Sequence, residues 1–152
     1  MQFLDKSREL HKNPLLKKLI LFLVLTLLLY LGVDIFLHQH QIGLTLSTAT
    51  NNILGNEEEF LDPILFDTLL ERTHANILSS MITLMLLALI LIRLNPKSTP
   101  YLIHFAFISS ILSHVLLLLT SNTLFIALWI GFFMLWHVFA FVMGLIIIWR
   151  LR

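Results

Sequence analysis

Residues 124–149 read LFIALWIGFFMLWHVFAFVMGLIIIW, with no Asp, Glu, Lys or Arg among them. A helix needs about 20 predominantly apolar residues to cross a hydrocarbon core about 30 Å thick. At that length, and without a charge, the stretch reads as a transmembrane helix. Three further apolar runs precede it, at 19–37, 74–92 and 101–119. The predicted architecture is all-α: a four-helix transmembrane bundle that occupies 1–152 as a single integral membrane domain.

Composition agrees with the runs. Of 152 residues, 58% are hydrophobic and 12% charged, and the mean hydropathy is +0.90. A soluble domain carries about 25% charged residues. The connections are too short to hold a separate catalytic domain. No phosphate loop, nucleophile elbow or kinase motif is present. There is no cysteine, which excludes disulfides, thiolate metal sites, iron–sulfur clusters and dithiol redox chemistry. The basic start is followed by an apolar run with no small-residue cleavage site, so 19–37 is expected to be a retained span rather than a signal peptide.

Between the spans lie a basic lead (1–18), an outer segment (38–73), a loop (93–100) and a hairpin at Ser121–Asn122. The first half of the outer segment is expected to be irregular, with at most one helical turn. Asp62–Pro63 is a helix-start signal. A long second helix is therefore predicted to begin near Pro63 and run into span two. Basic residues set the orientation. Lys6, Arg8, Lys12, Lys17 and Lys18 lie in the lead, Arg93 and Lys97 in the loop, and Arg150 and Arg152 in the tail. The opposite side holds Arg72 alone, among six acids from Glu57 to Glu71. By the positive-inside rule both termini are cytoplasmic and the acidic segment faces outward, in a cell inner (plasma) membrane. The acidic run reads first as solvation of an exposed segment. The basic lead is the expected topology signal beside anionic lipid, so no nucleic-acid partner is implied; the implied partner is the lipid bilayer.

Polar residues at membrane depth carry the functional question, because in hydrocarbon each costs at least a few kcal/mol unless buried and paired. Thr26, Tyr30, Asp34 and His38 recur every four residues and form a polar ridge expected to face protein. His40 follows at once. Asp34 can fix the His38 tautomer, as carboxylates do for metal-bound imidazoles; the plainer reading is a self-satisfied pair near the helix end. Glu71 and His74 have the E-x-x-H spacing of carboxylate-bridged di-iron bundles, but only one copy is present. These residues make His38, His40, Asp34 and Glu71 the candidate metal ligands.

Counted from the Ser121–Asn122 hairpin, His104 and His137 fall at nearly equal depth in the cytoplasmic half, and His114 lies in the outer half. His38, His40 and His74 lie near the outer edge. Two levels of histidines are what two b-type haems need, each iron taking one or two imidazoles. His104, His137, His114 and His74 are thus the candidate haem ligands. Ala140 and Gly144 beside His137 leave room for a flat macrocycle or a close helix, and the Ser110 hydroxyl can orient His114. The alternative reading makes the serines helix-packing residues and the histidines cofactor-free hydrogen-bonding groups.

In helix number and in His74, His104, His114 and His137, the layout resembles small four-helix b-type cytochromes of the cytochrome b561 kind. That resemblance implies haem b and transmembrane electron transfer. The chain departs from them in having no matching motif around those histidines and no outer basic pocket for haem propionates. Three functions are therefore compatible with the sequence. One is a haem- or transition-metal-binding electron-transfer protein. The second is a cofactor-free accessory subunit with a membrane-protein partner. The third is a proton- or metal-ion-conducting homo-oligomer lined by Asp34, His104, His114 and His137.

Overall fold

The computed structural model describes residues 13–94 and 100–151. Lys6, Arg8, Lys12, Lys97 and Arg152, which enter the orientation count, lie outside the described residues. Among the described residues five helices follow in order: α1 Pro14–Gln41, α2 Leu46–Leu54, α3 Phe66–Leu94, α4 Pro100–Leu118 and α5 Thr123–Leu151. α1, α3, α4 and α5 are each long and apolar enough to cross a membrane. Their outward side chains, Phe22, Leu29 and Phe36 on α1 and Val138 and Leu145 on α5 among them, are exposed and meet lipid. Between helices in lipid the attraction comes from close packing rather than the hydrophobic effect.

Local signals set the helix ends. The Asn13 side chain accepts from the Leu15 and Leu16 amides at 3.0 and 3.2 Å, and Pro14 occupies the first helical position, where its missing N–H costs nothing. α1 closes where Ile42 and Gly43 both donate to the His38 carbonyl, with Gly43 at φ +92°.

One expectation for the outer segment is corrected, and the long helix expected near Pro63 is present. Residues 46–54 form a nine-residue helix instead of an irregular stretch. Thr45 caps it by accepting from the Thr48 amide, and Ala49 and Ile53 turn a small apolar face inward. The long helix begins at Phe66, three residues after Pro63. The Ile64 amide is bonded to the Asn52 carbonyl of α2 at 3.2 Å, which holds the connector against α2 in an extended path. Gly55 allows the chain to leave α2 at φ 83°, ψ 165°, a region essentially restricted to glycine.

α5 is the hub: it packs against α1, α2, α3 and α4. At the Arg93–Arg150 end the buried layer is Val24, Leu27, Leu31, Leu84, Leu87, Leu91, Met143 and Ile147 with their neighbours. At the α2 end a second layer joins Ile42, Ala49, Ile53, Leu69, Leu117, Ile126 and Trp129. α1 approaches α5 at Gly144, where a Cβ would lie 2.5 Å from Leu28 Cδ2. The small residues beside His137 thus admit a close helix. Gly144→Leu is expected to destabilise the protein by about 1–3 kcal/mol through overpacking, measured by unfolding in detergent. Unchanged stability would mean that α1 is free to give way there.

Candidate functional site

Asp34 is the one acidic residue in the four apolar runs, and the fold pairs it. Its Oδ2 lies 3.0 Å from His137 Nε2 on α5. Its Oδ1 lies 3.5 Å from His38 Nδ1, one turn along α1. All three side chains are buried. His38 Nδ1 also reaches the Asp34 backbone carbonyl at 2.9 Å, and the far nitrogen, Nε2, meets Asn76 Nδ2 of α3 at 2.9 Å. On α4, His114 is buried, with Nδ1 2.6 Å from the Ser110 carbonyl. It lies close to His38, Asp34 and Asn76. The Ser110 and Ser80 hydroxyls join α4 to α3 at 3.3 Å. All four spans therefore converge on one polar cluster.

Aromatic rings enclose it. Phe133 lies 4.5 Å from the His38 ring and 4.3 Å from the His137 ring, centroid to centroid. Trp136 lies 3.7 Å from the His137 ring. Trp136 Nε1 is buried with no hydrogen-bond partner, so ring contacts hold this side chain.

Donor counting fixes the chemistry. His137 Nδ1 is 2.8 Å from the Phe133 carbonyl, an acceptor only, so Nδ1 must carry hydrogen. Nε2 faces a carboxyl oxygen. Either Nε2 also carries hydrogen and donates to a carboxylate, or Asp34 is protonated and donates to Nε2. In both cases one proton lies between Asp34 and His137, and the pair is neutral as a whole. His38 is satisfied differently: Nδ1 donates to the Asp34 carbonyl, and Nε2 accepts from the Asn76 amide.

Not every candidate joins this cluster. His40, Glu71, His74 and His104 are exposed. His104 is not brought beside His137: it stands nine residues from buried Ser113, about two and a half turns, and so on the opposite face of α4. Among the described residues no group of three or more His, Asp or Glu side chains has a metal-holding arrangement. The expected α1 ridge is only partly inward. Asp34 and His38 are buried, Tyr30 is half-buried beside Ser79, and Thr26 is exposed, its hydroxyl donating to the Phe22 carbonyl. Each i, i+4 step overshoots a full turn by about 40°, so the ridge winds out of the interface. Ser110 orients His114 through its carbonyl, and its hydroxyl is directed to Ser80 instead.

Residues 43–152 match the family model Aq_1264_TM, a transmembrane helical domain. The chain belongs to this family. The Aq_1264_TM match takes in α2 to α5, and with them Asn76, His114 and His137; Asp34 and His38 precede it on α1. No curated protein and no solved structure matches the chain.

The Asp34–His137 link and the Asn76 bridge are the features that sequence reasoning missed. One signal was available for the first. Asp34 is the lone acid among the spans, and His137 is the lone ionisable residue of 124–149. Two such groups in hydrocarbon relieve one another's cost by meeting.

Proposed function

We propose that this four-span protein is a proton-binding component of the cell inner membrane, with both termini cytoplasmic, whose Asp34–His137 pair takes up and releases a proton within the bilayer. The observation that carries this reading is the shared proton demanded by the Phe133 carbonyl on one side of the imidazole and the Asp34 carboxyl on the other. A carboxyl–imidazole pair at membrane depth is a usual element of proton relays. Asn76, His38 and His114 supply a polar surround. The bias of Lys and Arg toward the termini and the 93–100 loop supports the orientation.

The test uses Trp136 as reporter, because an imidazolium in ring contact quenches indole emission. With Trp129→Phe and Trp149→Phe, Trp136 is the one remaining indole. Its emission is expected to change with pH in detergent, and Asp34→Asn is expected to remove that response over the range in which the protein stays folded. Emission indifferent to pH in the parent would defeat the reading.

The second reading is a bound haem b or transition-metal ion. It is supported by His114, buried and hydrogen-bonded to no carboxylate, with Nδ1 donating to a backbone carbonyl as metal-bound imidazoles do. A Soret band, or stoichiometric iron, copper or zinc in purified protein, would favour it. A colourless, metal-free preparation would remove it.

A further inference from the structure

We infer that the Asp34–His137 site exchanges its proton with the α2 side of the membrane alone, so that a single chain is a one-sided acceptor and not a conduit. This rests on the proton-binding reading. The polar interior is strongly asymmetric along the bundle axis. The buried polar side chains are Asp34, His38, Thr73, Ser80, Thr83, Ser109, Ser110, Ser113, His114, Thr120 and His137. On α3 the innermost of these is Thr83. From Leu84 to Leu94 the helix continues for about 15 Å, and its buried residues there are Leu84, Leu87, Ala88 and Leu91. Facing them are Val24 and Leu27 of α1, Ala106 of α4, and Met143, Ile147 and Leu151 of α5. Among the described residues, that half of the interior offers no buried polar side chain to a proton.

The α2 side is built differently. Toward the α2 end, Thr73, Ser113, His114 and Thr120 are buried polar residues and Asn76 is half-buried. The apolar layer that covers the site there is completed by α2, a nine-residue helix entered at Gly43 and left at Gly55, both at positive φ. Displacing α2 breaks its packing on α3, α4 and α5 but leaves the spans packed on one another, whereas opening the opposite layer requires the spans themselves to separate.

Titratable groups face Asp34 from α1, α4 and α5. α1 supplies Tyr30 and His38, α5 supplies His137, and α4 supplies His114. α3 presents Asn76 and Ser79, neither of which titrates.

The experiment places the protein with Trp136 as its sole indole in lipid vesicles and steps the pH on one side at a time. The chain lacks cysteine, so Glu58→Cys, in the exposed turn after α2, can report orientation through an impermeant maleimide. Molecules with α2 outward are expected to answer an external step in full. Molecules with α2 inward are expected to give less than a tenth of that amplitude. An answer to the arginine side, or to both sides, overturns the inference. An answer in detergent but to neither side in vesicles also overturns it and leaves the proton-binding reading standing. No answer even in detergent defeats both. Leu87→Ser supplies the converse: a polar group in the apolar half is expected to raise the arginine-side amplitude at least threefold.

Discussion

Asp34→Ala is expected to cost about 3–5 kcal/mol of unfolding free energy in detergent, the loss that follows removal of one partner from a buried charged pair. The size of the loss decides what the pair is. Side-chain hydrogen bonds between membrane helices average about 0.6 kcal/mol in double-mutant cycles. A loss near that value would mean that the contact is an ordinary neutral hydrogen bond. Alanine removes the one group that meets both His137 Nε2 and His38 Nδ1, and nothing on α1 within a turn replaces it. Asp34→Asn behaves otherwise. Its amide N–H can donate to His137 Nε2 while Nδ1 still donates to the Phe133 carbonyl, which leaves a neutral, satisfied pair. Its stability is expected to fall within about 1 kcal/mol of the parent, an ordinary net hydrogen-bond difference, while the pH response of Trp136 is lost. Chemical denaturation of the three proteins side by side separates the structural role of the carboxyl from its role in holding a proton.

Trp129→Ala is the second large effect. Trp129 is 1% exposed and belongs to the layer that seats α2 on α3, α4 and α5. It also packs beside Phe133, ring centroids 6.1 Å apart. Large-to-alanine changes in a packed core cost about 3–5 kcal/mol. The consequence is expected to be local first. A helix of nine residues has little stability of its own, and α2 has no stripe to bury once its seat is hollow. Limited proteolysis is therefore expected to cut between Gly43 and Pro63 at least tenfold faster than in the parent, before the spans unfold. Equal cutting rates would show that α2 is held by its connectors and not by Trp129.

The four spans were legible because each is a long run with almost no charge, and hydrocarbon tolerates nothing else. Their ends were less so. The span predicted at 19–37 extends as a helix from Pro14 to Gln41, because helix ends beyond the hydrocarbon take polar residues freely and Asn13–Pro14 supplies a cap. α2 escaped because LSTATNNIL reads as polar; its apolar face is only Ala49 and Ile53. Counting from the hairpin gave the depth of the histidines but not their direction around the helix. Height alone placed His104 with His137, although His104 projects away from the interior. The pairing of Asp34 with His137 was legible only as chemistry, two solitary ionisable groups in a medium that penalises both.

The span of sequence between those two groups has a consequence for biogenesis. Asp34 and His137 are separated by 103 positions. At a ribosomal pace of about 5–20 residues per second, the carboxyl is translated about 5–20 s before its imidazole. His38, only one helical turn further along, is already present within that interval. Until α5 is made, His38 is therefore the imidazole within a turn of that acid.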